Sequence, residues 1–425
     1  MNDTMTAVQA ATTAERAHAA AQTILDSLAD PDRVQFSAAA SPLRTRPASV
    51  GGGAAGVALA HIEAARAGHG SWDTPRTWLT RALSVPVNGG DTATLWSGAP
   101  ALGLVATIAA TSPTHLTTAR KRLDEATARL TQHRLKQAHT RINRGEGPPL
   151  AEFDLIQGLA GLAVYHLHSH PDTEITRQVL AYLVRLSLPL PESPDQPPGW
   201  WTEQSPHSRV EPQFPGGHLN MGMAHGIAAP LAVLSLAALR GVTVDGHVEA
   251  IERICSVLDT CRHTGPAGVW WPYYLTPERW SSGPSTNASV TGQRPSWCYG
   301  TAGLARAQQL AGLALGDDDR RVIAEQAMAD CLRDDDQLNT LTELGLCHGW
   351  AGLLHCAWRI NDDAPDTPLT ADLDRIAACL LTRLELDNGQ DPEFLDGRAG
   401  IALALHTYAN GVAPGVPWDA CLALA

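Results

Sequence analysis

The sequence is short of phenylalanine and tyrosine (4 and 6 of 425 residues), has no long unbroken apolar run, and carries fewer basic than acidic residues. Each shortage excludes something. Scarce Phe and Tyr beside abundant Ala, Leu and Gly argue for helices packed closely at small residues rather than a β-rich fold. Without a long apolar run there is no transmembrane helix. The first residues, with Asp3, Glu15 and Arg16, lack the apolar core of a signal peptide, so the expectation is a cytoplasmic protein. The charge balance of 31 − 44 = −13 speaks against nucleic acid and against an anionic membrane surface, since both are bound through an excess of Lys and Arg. The eight cysteines include no Cys-x-x-Cys pair and no dense framework; reduced thiols or metal ligands are expected instead of disulfides.

What is present is a small motif repeated seven times. A Gly-x-x-Gly-like element precedes an apolar helical run at Gly53-Ala-Ala-Gly56, around Gly98 to Gly103, at Gly158-Leu-Ala-Gly161, at Gly226 to Ala229, at Gly300-Thr-Ala-Gly303, at Gly349-Trp-Ala-Gly352 and at Gly397-Arg-Ala-Gly400. Successive copies stand between 45 (98 − 53) and 74 (300 − 226) residues apart, room for two helices and their loops. The stretch after a motif helix often reads as a second, amphipathic helix, as from Arg321 to Arg333. One helix pair cannot bury its own apolar face, whereas stacked pairs can, and a closed ring removes the exposed ends. The expectation is an all-α fold: one α/α toroid domain over 1–425, with seven inner and seven outer helices and the glycine turns gathered at one end of the axis. Residues 191–218 and 276–296, rich in Pro, Gly and Trp or Ser, read as loop insertions capping that end. The net basic stretch 119–144 reads as a solvated outer helix, with peptide docking as the alternative.

Two motifs carry metal-type residues, Cys298 in the fifth and Cys347-His348 in the sixth. Thiolate and imidazole are preferred zinc ligands, and three protein ligands leave one position open. Equivalent positions of neighbouring repeats converge near a toroid axis, so residues 49 apart (347 − 298) can meet at one ion. The plainer alternative is buried free cysteine, the expectation for Cys255, Cys261, Cys331, Cys356, Cys379 and Cys421. His166, His168 and His170 read as a solvated helix end, and His218 and His355 as structural.

The runs Asp154-Leu-Ile-Gln-Gly-Leu-Ala-Gly161, Met223-Ala-His-Gly226, Ser296-Trp-Cys-Tyr-Gly300 and Leu346-Cys-His-Gly349 resemble the lanthionine synthetase C family of lanthipeptide cyclases. The resemblance spans nearly the whole chain. It implies the α/α toroid and one zinc ion (Zn2+) per chain, held by Cys298, Cys347 and His348. It places His225 beside the metal as the acid/base residue, with Asp154, Arg294 and Tyr299 around it. Arg294 stands four residues before Cys298, matching the family pattern; Ala229, where many relatives have glycine, departs from it. The implied partners are a dehydrated lanthipeptide precursor, a separate dehydratase and an exporter. Membrane association through such a biosynthetic complex is an open alternative to a purely cytoplasmic location.

The implied reaction adds a cysteine thiol to dehydroalanine or dehydrobutyrine, forming a lanthionine or methyllanthionine ring. An imidazole titrates near neutral pH, which suits His225 to proton transfer. Asp154 either holds an imidazole or caps a helix. Arg294 polarises the developing enolate, pairs with Asp154, or is a surface arginine. Tyr299 is a donor near the metal or part of the packed ring, and Trp297 is wall. Three rivals stand beside the cyclase. One is transfer of glutathione or another small thiol to dehydroamino acids, another a peptide-binding scaffold with structural zinc. The third is a carbohydrate-active toroid, which needs paired acids that Asp154 lacks unless Asp396 serves.

Overall fold

The computed structural model describes residues 11–36, 47–112, 114–190, 197–207, 211–265, 268–282, 293–364 and 369–425. Seven helices line the inside of a ring: α2 (Ala54–Arg66), α4 (Ala99–Ala109), α7 (Leu159–Ser169), α9 (Ala228–Leu239), α12 (Thr301–Leu315), α15 (Trp350–Asp362) and α17 (Arg398–Asn410). Each packs on the next, and α17 packs back on α2, which closes the circle. Seven more form the outer layer: α1 (Thr13–Ser27), α3 (Asp73–Ala82), α5 (Thr117–Asn143), α8 (Glu174–Leu186), α10 (His247–Thr260), α13 (Asp318–Arg333) and α16 (Thr370–Leu386). Every inner helix is backed by the outer helix that follows it in the chain, except α17, whose partner is α1 from the other terminus.

The two layers follow from residue pattern. Inner helices are mostly apolar and buried nearly all round; Ala228 to Ala237 of α9 are buried without exception, as expected of a helix packed on every side. Outer helices bury one stripe, as in α13 at Ala324, Ala327, Met328 and Cys331. The second glycine of the motif has a steric reason. A Cβ on Gly56, Gly303, Gly352 or Gly400 would lie 2.0 to 2.1 Å from the carbonyl oxygen six residues earlier. The preceding turn therefore folds directly over the helix start. In the fifth motif Gly300 also adopts φ +106°, a backbone region that L side chains avoid. At the fourth turn Ala229 takes the second place and is fully buried.

Two small sheets form between the expected insertions, outside 191–218 and 276–296. β1 (Leu219–Asn220) pairs antiparallel with β4 (Tyr274–Leu275), and β2 (His263–Gly265) with β3 (Gly268–Trp270). Residues 191–196, 208–210 and 283–292 of the expected loops lie outside the described residues. The basic stretch falls on α5, but not all of it is solvated. Arg141 donates to both oxygens of Glu152 (2.9 and 2.7 Å), and Arg134 reaches the carbonyls of Asp91, Ala93 and Gln157. The end of α7 also differs from the expected solvated terminus. His166 is buried and bonded to Thr131 at 2.9 Å, and His170 lies 3.0 Å from Asp124. The reason is tertiary: α5 covers this end of α7. No helix among the described residues is long and apolar enough to cross a membrane.

The chain after α17 enters the ring from the end opposite the glycine turns. A short 3-10 helix, Trp418–Leu422, packs on α2 and α7. Across the ring, Arg306 of α12 donates to the Leu424 carbonyl (3.0 and 2.8 Å). Contacts to helices on several sides put this segment on the axis as a plug. Its anchor is Asp419, fully buried, which accepts from Arg359 (2.6 and 2.9 Å) and from His355 Nε2 (2.8 Å). His355 is thus structural, as expected from the sequence. Although burial alone would raise it, the Arg359 and His355 pairing holds the Asp419 carboxyl far below the usual range. A depressed acid contributes stability above its unfolded pKa of about 3.9, and that contribution is lost as pH falls. We predict that Asp419→Ala costs about 3–5 kcal/mol in denaturant unfolding at neutral pH, because Arg359 is left buried and unpaired. The gap from the parent protein should narrow progressively below about pH 4. A pH-independent gap would disprove the assignment.

Candidate metal centre

The seven turns before the inner helices are joined to one another by hydrogen bonds, and one set of seven runs in a single direction round the ring, with Gly98 N to Ala48 O (3.3 Å) as a reverse bond between the first two turns. Val50 N donates to Trp96 O (2.9 Å), and the Trp96 indole donates to Leu155 O (3.2 Å). Leu155 N then donates to Ala224 O (3.2 Å), Ala224 N to Cys298 O (3.3 Å), and Cys298 N to Cys347 O (3.1 Å). Cys347 N donates to Leu395 O (2.9 Å), and Leu395 N returns to Gly51 O (2.9 Å). Each inner helix start is therefore held at one level, and residues at matching places in adjacent motifs become neighbours.

Cys298, Cys347 and His348 profit from that register. Their two sulfurs and one imidazole nitrogen lie within 4.8 Å of one another, near the about 3.5–3.8 Å expected between donors on one tetrahedral zinc with Zn–S about 2.3 Å and Zn–N about 2.0–2.1 Å. Among the described residues this is the one group of three such side chains so closely gathered. Cys298 and Cys347 are buried, and His348 is half-buried. A hydrogen bond from the Cys347 thiol, with help from His348 and Ser296, pulls the Cys298 thiol down to about 4 against the effect of burial. The Cys298 partner in turn pushes the His348 imidazole up, with Asp396 contributing; Asp396 Oδ1 stands 3.8 Å from His348 Nδ1. A site that favours thiolate beside imidazole has the donor chemistry zinc requires. The other thiols differ. Burial pushes Cys255 up to about 12 and Cys261 to about 11, and Cys331, Cys356 and Cys421 further still.

On the neighbouring turns, Asp154 does two things at once. Its Oδ1 accepts from Gln157 N (2.6 Å) and Gly158 N (2.8 Å), capping the turn before α7. Its Oδ2 accepts from His225 Nδ1 (2.6 Å). The carboxylate is buried and the imidazole about one-third exposed. Donation from Nδ1 fixes the neutral tautomer with its basic lone pair on Nε2. Tyr299, next to Cys298, accepts from Asn220 Nδ2 at 3.1 Å, and burial pushes its phenol up, so it stays protonated. Arg294 Nε is buried and has no hydrogen-bond partner among the described residues. The Arg294 carbonyl is pinned by the Tyr273 hydroxyl (3.0 Å), and its charge is felt by His348.

Several residues here carried no signal that sequence reasoning used. Asn220 is fully buried; it donates to Tyr299 and to His218 Nε2 (3.3 Å), while His218 Nδ1 donates to Gln204 O (2.7 Å). Ser296 Oγ lies 3.5 Å from Cys298 Sγ and donates to Tyr299 O (2.6 Å). Asn220 and Ser296 stand within or beside the motif runs, so their position was the available clue. The sequence offers Asp396 as an acid partner for Asp154; in the structure it faces His348.

Fold and site together define the class: a helical toroid with a two-thiol, one-imidazole centre at the glycine-turn end. Residues 45–422 match the sequence model of the family described as lanthionine synthetase C-like protein; the chain belongs to this family. It is 26% identical over 216 residues to the nisin biosynthesis protein NisC of Lactococcus lactis subsp. lactis. That match covers 49% of this chain and 48% of NisC, so the chain spans about half the length of that relative. The fold matches the solved structure of nisin cyclase with a TM-score of 0.76 at 17% identity, covering 95% of this chain and 96% of the other.

We predict that in metal-free protein at about pH 6 Cys298 is the buried thiol alkylated first, because an ordinary thiol titrates near 8.5. A depressed thiol is nucleophilic above its own pKa, so its reaction should persist at acid pH while Cys331 and Cys356 stay inert. Mass mapping after brief iodoacetamide treatment reads this directly. Alkylation of Cys298 only above about pH 8 would contradict the geometry.

Proposed function

We propose that this protein is a zinc-dependent lanthipeptide cyclase, which adds cysteine thiols of a dehydrated precursor peptide to dehydroalanine or dehydrobutyrine and so closes lanthionine or methyllanthionine rings. The observation that carries the reading is the gathering of Cys298, Cys347 and His348 within 4.8 Å, one turn away from the bonded pair Asp154 and His225. Family membership supports it, as does the printed role of NisC in nisin biosynthesis.

Cys298, Cys347 and His348 would hold the ion, which when bound supplies an open position that captures a substrate thiol and favours its thiolate form. His225, its Nδ1–H on Asp154, takes up the thiol proton at Nε2. The sulfur forms a bond to the β-carbon of the dehydro residue, and the π electrons move to the α-carbon and its amide oxygen as an enolate. The half-buried Arg294 guanidinium and the protonated Tyr299 hydroxyl are the donors available to that oxygen. The imidazolium of His225 then gives its proton to the α-carbon, so the thiol hydrogen ends on carbon and no other reactant is consumed. Asp154 stabilises the imidazolium and orients the ring, which makes it a positioning residue. The whole chain acts as one toroidal unit in the cytoplasm, free or within a membrane-associated complex, receiving its substrate from a separate dehydratase and passing its product towards an exporter.

The deciding experiment incubates the protein with zinc and a dehydrated precursor, then counts alkylatable cysteines by mass. Loss of alkylation without added thiol supports the cyclase. Continued alkylation of every cysteine refutes it, and a requirement for glutathione favours the small-thiol reading. We predict that His225→Ala lowers kcat by about 10²–10⁴-fold with zinc content unchanged, whereas Cys347→Ala loses the zinc as well. A peptide-binding scaffold would show no turnover to lose.

A further inference from the structure

A second cluster of metal-binding side chains lies at the other end of the ring and plays no part in the chemistry above. His406 sits two-thirds of the way along α17, His69 in the link just after α2, and His18 on α1. These are the elements that meet where the circle closes, since α1 backs α17 and α17 packs on α2. His69 Nδ1 and His406 Nε2 are 3.0 Å apart. The His18 ring stands edge-on to that of His69, with centroids 4.9 Å apart, and the His69 and His406 rings are 5.2 Å apart.

We propose that His69, His406 and His18 form a second metal site on the closing seam of the ring, taking a borderline divalent transition ion such as nickel, copper or zinc through imidazole nitrogen alone. The spacing fits. Two nitrogens bonded to one ion at about 2.0–2.1 Å are about 3.0–3.4 Å apart at the angles of tetrahedral or square coordination, and the observed 3.0 Å is within that range. The His18 ring, with its centroid 4.9 Å from that of His69, stands outside this close spacing and would join the ion only by turning about its side-chain bonds.

The surroundings are those of a supported ligand. Histidine ligands are oriented by groups behind the second ring nitrogen; Asn410 Nδ2 lies 3.3 Å from His406 Nδ1 and from its Nε2, and Glu63 Oε1 stands 3.8 Å from His406 Nδ1, beyond hydrogen-bond reach. Glu63 is buried and immobilised, accepting from Gly415 N (2.9 Å) and Val416 N (2.8 Å) at the entry to the axial plug. Burial together with the neighbouring imidazoles pushes His406 down to about 4, so it offers a neutral ring at physiological pH. The donor set contains no sulfur, which separates its preferences from those of the thiolate centre. A bound ion would tie α1, α17 and the end of α2 together without touching substrate.

Cobalt(II) titration of the protein tests this, because thiolate ligation gives a strong near-ultraviolet charge-transfer band and imidazole ligation does not. We expect one equivalent that develops the thiolate band and a further equivalent that shows only visible ligand-field absorption. Cys347→Ala should abolish the first and spare the second. His69→Ala and His406→Ala should each abolish the second and spare the first, and nickel should raise the Tm of the parent protein but not of His69→Ala. His69 is half-buried at a helix end, so this variant remains informative if His406→Ala fails to fold. Saturation after the thiolate equivalent alone, or a second equivalent undiminished in His69→Ala, overturns the site. Neither outcome bears on the cyclase reading, which rests on Cys298, Cys347 and His348.

Discussion

The directional circle of turn-to-turn hydrogen bonds is the constraint from which the site follows. Each turn gives a donor to the next and takes one from the turn before, so none can slide along the axis without breaking two bonds. Cys298 N to Cys347 O (3.1 Å) sets the two thiols side by side. Ala224 N to Cys298 O (3.3 Å) and Leu155 N to Ala224 O (3.2 Å) bring His225 and Asp154 onto successive turns beside them. One link is made by the Trp96 indole in place of a backbone amide, which shows that the register matters more than the chemical identity of the donor. Buried amides and carbonyls need partners, and around a closed ring every turn finds one in its neighbour.

The two ends of the ring solve different problems. At the glycine-turn end the backbone is spent on the circle, which leaves side chains to face the opening. At the other end the ring would be an open bore between helix ends. The returning chain fills it, and the fill is polar at its centre. Asp419 and Arg359 cancel one another's charge, with His355 as a further hydrogen-bond donor, since an unpaired buried charge costs several kcal/mol. The His406 and Glu63 pair stands at the entry to this plug, so the seam, the plug and the outer layer are joined at one place. The axial segment therefore closes the end opposite the glycine turns.

Much of this was legible in advance. The Gly-x-x-Gly-like recurrences mark all seven inner helix starts, and at five of them (Gly56, Gly161, Gly303, Gly352 and Gly400) a Cβ on the second glycine would strike a carbonyl of the turn folded over the helix. Cys298 and Cys347-His348 stood out as soft ligands at equivalent places in adjacent copies. Asp154 left two roles open, and the structure shows one oxygen capping a turn and the other on His225. Other residues were not legible. Asn220 is an ordinary amide in a sequence, and its bond to Tyr299 depends on a strand pairing between segments 54 residues apart (274 − 220). His166 looked solvated because nothing nearby in sequence covers it; α5, reached only through the ring, does. His18, His69 and His406 are scattered over nearly the whole chain and meet only because α1 serves as the outer partner of α17.

By itself, then, the order of residues determined the local events: where helices begin, which of them are mostly apolar, and which side chains are competent to bind a metal. These depend on propensity, sterics and periodicity within a few turns of chain. The tertiary structure alone decided which of those side chains face one another, which end of the ring is sealed, and that Asp396 supports His348 instead of pairing with Asp154. Those outcomes depend on closing a circle between residues hundreds of positions apart, and no short-range rule carries that distance.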